Sequence, residues 1–134
     1  PLDLTKETKE KVDRAINISK MFGSVIHIVT IIESKDEFIM NKLTRQMDQV
    51  ADHINEAGIS CTSEFVNGSH VVDEILKVAE RTESDLIMIM TQQEVGFTDL
   101  FLSSAAEDII NRSDVPVLSI RPVPRKDTTT FTIQ

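Results

Sequence analysis

Short runs of β-branched and apolar residues alternate along this chain with longer stretches in which apolar positions recur every three or four residues. These are the periods of buried strands and of amphipathic helices. Thr5 can cap a first helix through Phe22, with Glu7 near its positive end. Its apolar face is Val12, Ala15, Ile16 and Phe22, interrupted by Ser19, and Gly23 ends it. Val25–Ile32 (VIHIVTII) is dense in β-branched residues and predicts a buried strand. Ile39, Leu43, Met47, Val50, Ile54 and Ala57 then predict a long helix from about Asp36 to Ala57, closed by Gly58. Between Ile59 and Val66 the pattern alternates, with Ile59, Cys61 and Phe65 on one side and Ser60, Thr62 and Glu64 on the other, as in a half-covered edge strand. Asn67, Gly68 and Ser69 turn the chain into a third helix carrying Val71, Val72, Ile75, Leu76, Val78 and Ala79.

The stretch from Asp85 to Arg121 completes the pattern as one βαβ unit. Leu86–Met90 and Val115–Ile120 are short continuous apolar runs, as expected of strands covered on both faces of a parallel sheet. Between them come a polar loop and a helix in which Ser103 and Ser104 precede Ala105, Ala106, Ile109 and Ile110, so their hydroxyls stand where helix amides need caps. The order is helix, strand, repeated four times. In such sheets ligands settle where strand ends meet helix N-termini, which places any small-molecule site in this last unit. Pro1-Leu2-Asp3 has the look of the tail of a further strand, since a parallel sheet ought to begin with one; a simple lead-in is the alternative. Thr128–Ile133 has strand composition but follows Pro122 and Pro124, so it pairs elsewhere if it pairs at all, a partner subunit being one candidate.

Composition narrows the class. A chain of 134 residues suffices for one domain with a real core. Its formal charge of -8 argues against nucleic acid and anionic membrane surfaces as partners. A single cysteine, Cys61, excludes an internal disulfide, no apolar run approaches the roughly 20 residues of a membrane span, and a reducing cytoplasm is the expected location.

Four features coincide: the Pro1-Leu2-Asp3 corner, a helix ending in Phe22-Gly23 before a strand, the Gly68 turn into a helix with Ile75 on its apolar face, and the closing unit with DLIMIM and LSSAAEDIINRSDVPVLSIRP. Together they resemble the universal stress protein family. The resemblance implies a three-layer, doubly wound, Rossmann-like α/β fold with a parallel five-stranded sheet, its first strand cut short here. It also implies a domain over residues 1–122, a tail over 123–134, and a homodimer formed through the last strand, Val115–Ile120.

Many members of that family bind ATP through Gly-x-x-Gly, a spacer of nine, and Gly-Ser or Gly-Thr at a helix start. Glycines let the backbone approach the phosphates, and helix amides hold them. Here Thr91 and Glu94 stand at the first two glycine positions and Ser103-Ser104 at the last pair, with the spacer one residue short. Glu94 would set negative charge beside a triphosphate, and the added side chains narrow the room for it. Other contact positions are kept: Asp3 matches the aspartate that meets the nucleoside, Ile31 the residue that packs on the base, and Met90 and Ser104 further contacts. The degenerate site is therefore Asp3, Ile31, Met90, Thr91, Glu94, Ser103 and Ser104. Each has a plainer reading, Asp3 and the serines as helix caps, Ile31 and Met90 as core.

No catalytic constellation emerges from spacing. His27, His53 and His70 fall on a strand, a helix and a loop with no interval that predicts metal ligation or a nucleophile's base. Ser103 lacks the glycine-flanked elbow of hydrolases, and Cys61 reads as a small apolar filler. The expectation is a binding or regulatory module, no enzyme, without a cofactor and with an unknown protein partner. The alternative is a switch that binds ATP or AMP, with weak hydrolysis or none, and a third possibility is a domain of a longer protein such as a transporter.

Overall fold

The computed structural model describes residues 1–2, 8–33, 35–91, 103–121 and 123. These fall into two compact units, one drawn from positions between Leu2 and Ser69 and the other from positions between His70 and Val123.

In the first unit, α1 (Thr8–Phe22), β1 (Ile26–Ile32), α2 (Glu37–Glu56) and β2 (Cys61–Asn67) follow in that order. The two strands pair in parallel with Ile26 opposite Cys61 and Ile32 opposite Asn67. A parallel pair needs a crossover, and α2 supplies it. Asp36 begins that helix: its carboxylate accepts the Phe38 and Ile39 amides at 2.8 and 3.3 Å, two of the four donors a helix start leaves unpaired. Gly58 ends it at φ +83°, a backbone region that costs glycine little and other residues more. Met47, Val50 and Ile54, on one face of α2, are no more than 2% exposed and pack with Val12 and Ile16 of α1 and with Ile28 and Ile59. Ile26, Cys61 and Phe65 border the same core, so the alternation read along β2 sets the face that is buried. The Leu2 amide donates to the Val29 carbonyl at 2.8 Å, which holds Leu2 beside β1.

The apolar face expected of α1 needs correction. Its buried residues are Thr8, Val12, Ile16 and Ser19, while Phe22 is 76% exposed. At 3.6 residues per turn Ser19 falls near the middle of that stripe, whereas Phe22 lies roughly 75° from it, at the helix end. Helical position therefore outranks side-chain polarity here. Val25 is also exposed, and β1 begins one residue later than its composition suggests.

The second unit contains α3 (Val71–Arg81), β3 (Ile87–Met90), α4 (Ser103–Arg112) and β4 (Val117–Ile120), with β3 and β4 parallel and Ile87 opposite Val117. Ile75 and Val78 of α3 and Ala106 and Ile109 of α4 are buried. Arg112 joins the helices, donating to Asp73 on α3 and to Asp108 one turn back. β4 starts at Val117 rather than Val115. Pro116 has no amide to give a ladder, its carbonyl accepts from Ile87 at 3.0 Å, and the Val115 amide is taken by the Ser113 hydroxyl at 3.1 Å. Leu86, 40% exposed, likewise precedes its strand. The tail expected to pair with a subunit lies outside the described residues apart from Val123.

Candidate functional site

Three of the sequence-predicted positions, Ile31, Met90 and Thr91, fall at or just past the carboxyl ends of strands. Ile31, one residue from the end of β1 and opposite Val66 on β2, is half-buried. Met90 closes β3 opposite Ile120 and is half-buried as well. Thr91 follows it directly. Its amide donates to the Ile120 carbonyl at 2.9 Å, and its hydroxyl donates to the same oxygen at 3.3 Å. Both donors that Thr91 could turn toward an anion are thus engaged by β4. Ser103 and Ser104 are the first two residues of α4, inside the helix rather than ahead of it as caps. No acidic residue occupies the first turn of α4, and Arg112 sits at the negative end of its dipole. Asp3 and Glu94 lie outside the described residues. Ile31 belongs to the first unit, and Met90, Thr91 and the two serines belong to the second.

Sequence spacing missed a second polar arrangement. His27 on β1 is the register partner of Thr62 on β2. Its Nδ1 lies 2.6 Å from the Thr62 hydroxyl and its Nε2 lies 3.1 Å from Oε2 of Glu64, two residues farther along β2. Their separations of 35 and 37 residues carry no motif, and only the strand register brings them together. His53 on α2 reaches Asp13 on α1 at 3.1 Å, and Lys9 approaches the other carboxylate oxygen at 2.7 Å. Burial acts to raise the Asp13 pKa, but hydrogen bonds from Lys9 and His53 and their charges outweigh it, holding the carboxyl below its ordinary value of 3.8. Burial pushes the Cys61 thiol up, which suits a side chain that borders the core and keeps it protonated. Among the described residues no group of histidine, cysteine and acidic side chains could hold a metal ion, and no helix is long and apolar enough to cross a membrane.

Parallel strands joined by helices, with helix N-termini following strand carboxyl ends, define a Rossmann-like α/β protein. The chain belongs to the universal stress protein family, whose profile matches residues 1–121. Universal stress protein MJ0531 of Methanocaldococcus jannaschii is 26% identical over 141 residues, covering 95% of this chain and 82% of its own. Among solved structures, that of MJ0577 superposes with a TM-score of 0.75 at 20% identity, covering 93% of this chain and 94% of its own. A universal stress protein solved in complex with cAMP superposes with a TM-score of 0.69 at 21% identity, covering 91% and 93%. At these identities the superpositions establish the fold.

Proposed function

We propose that this chain is a universal stress protein of the binding or regulatory kind that does not hold ATP in the family's usual way. The observation that carries the reading is Thr91. It replaces the first glycine of the phosphate loop, and its amide and hydroxyl are both spent on the Ile120 carbonyl. The acidic Glu94 at the second glycine position adds charge repulsion toward a triphosphate. On this reading the protein works in the cytoplasm as a homodimer through β4, with a protein partner and no cofactor. The apolar character of the half-buried Val117 and Leu118 supports that pairing.

An adenine nucleotide switch is the second reading. The cAMP complex of a similarly folded protein favours it, as does the half-buried Met90 at the end of β3. A nucleotide with one phosphate asks less of the altered loop than ATP does. The two readings separate in one experiment: protein purified without added ligand is denatured, its supernatant is analysed for nucleotide, and the native protein is titrated with ATP and AMP. An empty protein that ignores millimolar ATP supports the first reading, and stoichiometric ATP overturns it. AMP binding without ATP binding supports the second. Glu94→Gly then asks whether charge alone closes the site, since a surviving pocket gains ATP affinity on that change. Sedimentation at micromolar concentration tests the dimer, and a monomer would remove it.

A further inference from the structure

The strand pair of the first unit carries a hydroxyl, an imidazole and a carboxylate in line. Glu64 Oε2 lies 3.1 Å from Nε2 of His27, and Nδ1 of the same ring lies 2.6 Å from Oγ1 of Thr62. The tautomer follows from the partners. An ionised carboxylate only accepts, so Nε2 carries the proton, and in the neutral ring Nδ1 is then left with a lone pair. The Thr62 hydroxyl must donate to that lone pair. The 2.6 Å separation is short for a hydroxyl donor, and Thr62 is exposed while the imidazole and carboxylate side chains keep only 19% and 24% of their surface in solvent. A nucleophile hydrogen-bonded to a base, with the base oriented by a third group, is the arrangement that activates an alcohol.

We infer that Thr62 is an acyl-acceptor site, activated by His27 as general base with Glu64 as the positioning residue, and that it takes small activated acyl donors such as esters and thioesters. Oγ1 of Thr62 bonds to the carbonyl carbon of the donor as the carbon–oxygen or carbon–sulfur bond to the leaving group breaks. The hydroxyl proton passes to Nδ1 of His27 and from there to the departing alkoxide, phenolate or thiolate. The product is an O-acylated threonine, with no oxidant or metal required. Glu64 stabilises the imidazolium formed on the way.

p-Nitrophenyl acetate is the probe. Mixed with the protein, it should release a stoichiometric burst of p-nitrophenolate, and peptide mapping should place one acetyl group on Thr62. Thr62→Val keeps shape and strand preference and should abolish the burst; Thr62→Ser should retain it. His27→Gln should slow labelling by about 10²-fold, the lower end of what a general base supplies. Glu64→Gln should slow it less, and Glu64→Asp should restore part of the rate, a rescue that loss of packing alone would not produce. Far-UV circular dichroism confirms that each variant is folded, and Thr62→Ser keeps the idea falsifiable if His27→Gln fails to fold. Acetyl groups found only on lysines or Cys61, a burst that persists in Thr62→Val, or equal rates in the wild type and a folded His27→Gln would each overturn the assignment.

Discussion

Thr30 lies in the middle of β1, 4% exposed, and its hydroxyl meets no hydrogen-bond partner among the described residues. Burial of a hydroxyl without a partner costs about 1–3 kcal/mol in proteins, because its bonds to water are lost and nothing replaces them. Valine has nearly the same shape and the same stiffness at χ1, and it prefers strands as strongly. Thr30→Val therefore removes the penalty and places a methyl group in a buried site. A stabilisation of about 1.5 kcal/mol is expected. With a urea m-value of about 1.5 kcal/mol/M, the unfolding midpoint should rise by about 1 M at unchanged m. The thermal midpoint should rise by about 3–6 °C. Far-UV circular dichroism is the suitable probe, since the chain has no tryptophan or tyrosine. The reverse change one position along, Val29→Thr, puts a hydroxyl into a site 4% exposed and should lower stability by about as much. A midpoint that falls in Thr30→Val would refute the reasoning, for it would mean that the native hydroxyl is satisfied.

Two further outcomes follow from the same unit. Ile54, 1% exposed in the α2 face of the core, should lose about 3–4 kcal/mol on truncation to alanine, and urea unfolding reads this directly; a loss under about 1 kcal/mol would show that the site collapses around the gap. Asp13 is held below its ordinary pKa in the folded chain, so its stabilising share is present above about pH 4, where the unfolded chain's carboxyl is ionised too, and is lost as pH falls through the lower folded value. Asp13→Asn should flatten the acid limb of stability against pH, and a limb identical to wild type would refute the Lys9–Asp13–His53 link.

Element order and the long helix were legible because their signals are local. Asp36, the spaced Met47, Val50 and Ile54, and Gly58 each act within a turn or two, and α2 lies where they place it. Phe22 and Ser19 depart from the expected face because angular position outweighs polarity: a serine in line with Thr8, Val12 and Ile16 goes inward with them. Pro116 was legible as a strand-edge residue, but its effect on where β4 begins depends on the Ser113 hydroxyl and the Ile87 amide, one of them from another element. Of the nucleotide positions, the missing glycines could be read directly, whereas the engagement of Thr91 with Ile120 depends on the pairing of two strands 30 residues apart in sequence. The His27 cluster is the extreme case. It exists only in the parallel register of β1 and β2, and a shift of one residue would turn His27 and Thr62 to opposite faces.

The bond that ties Thr91 to Ile120 also has a mechanical meaning. One carbonyl oxygen at the end of β4 receives both donors of the residue that opens the 92–102 segment. That oxygen ties Thr91 to the end of β4 twice. A glycine at this position would keep the amide link but lack the second tether, so Thr91 is held against rotation as well as against separation.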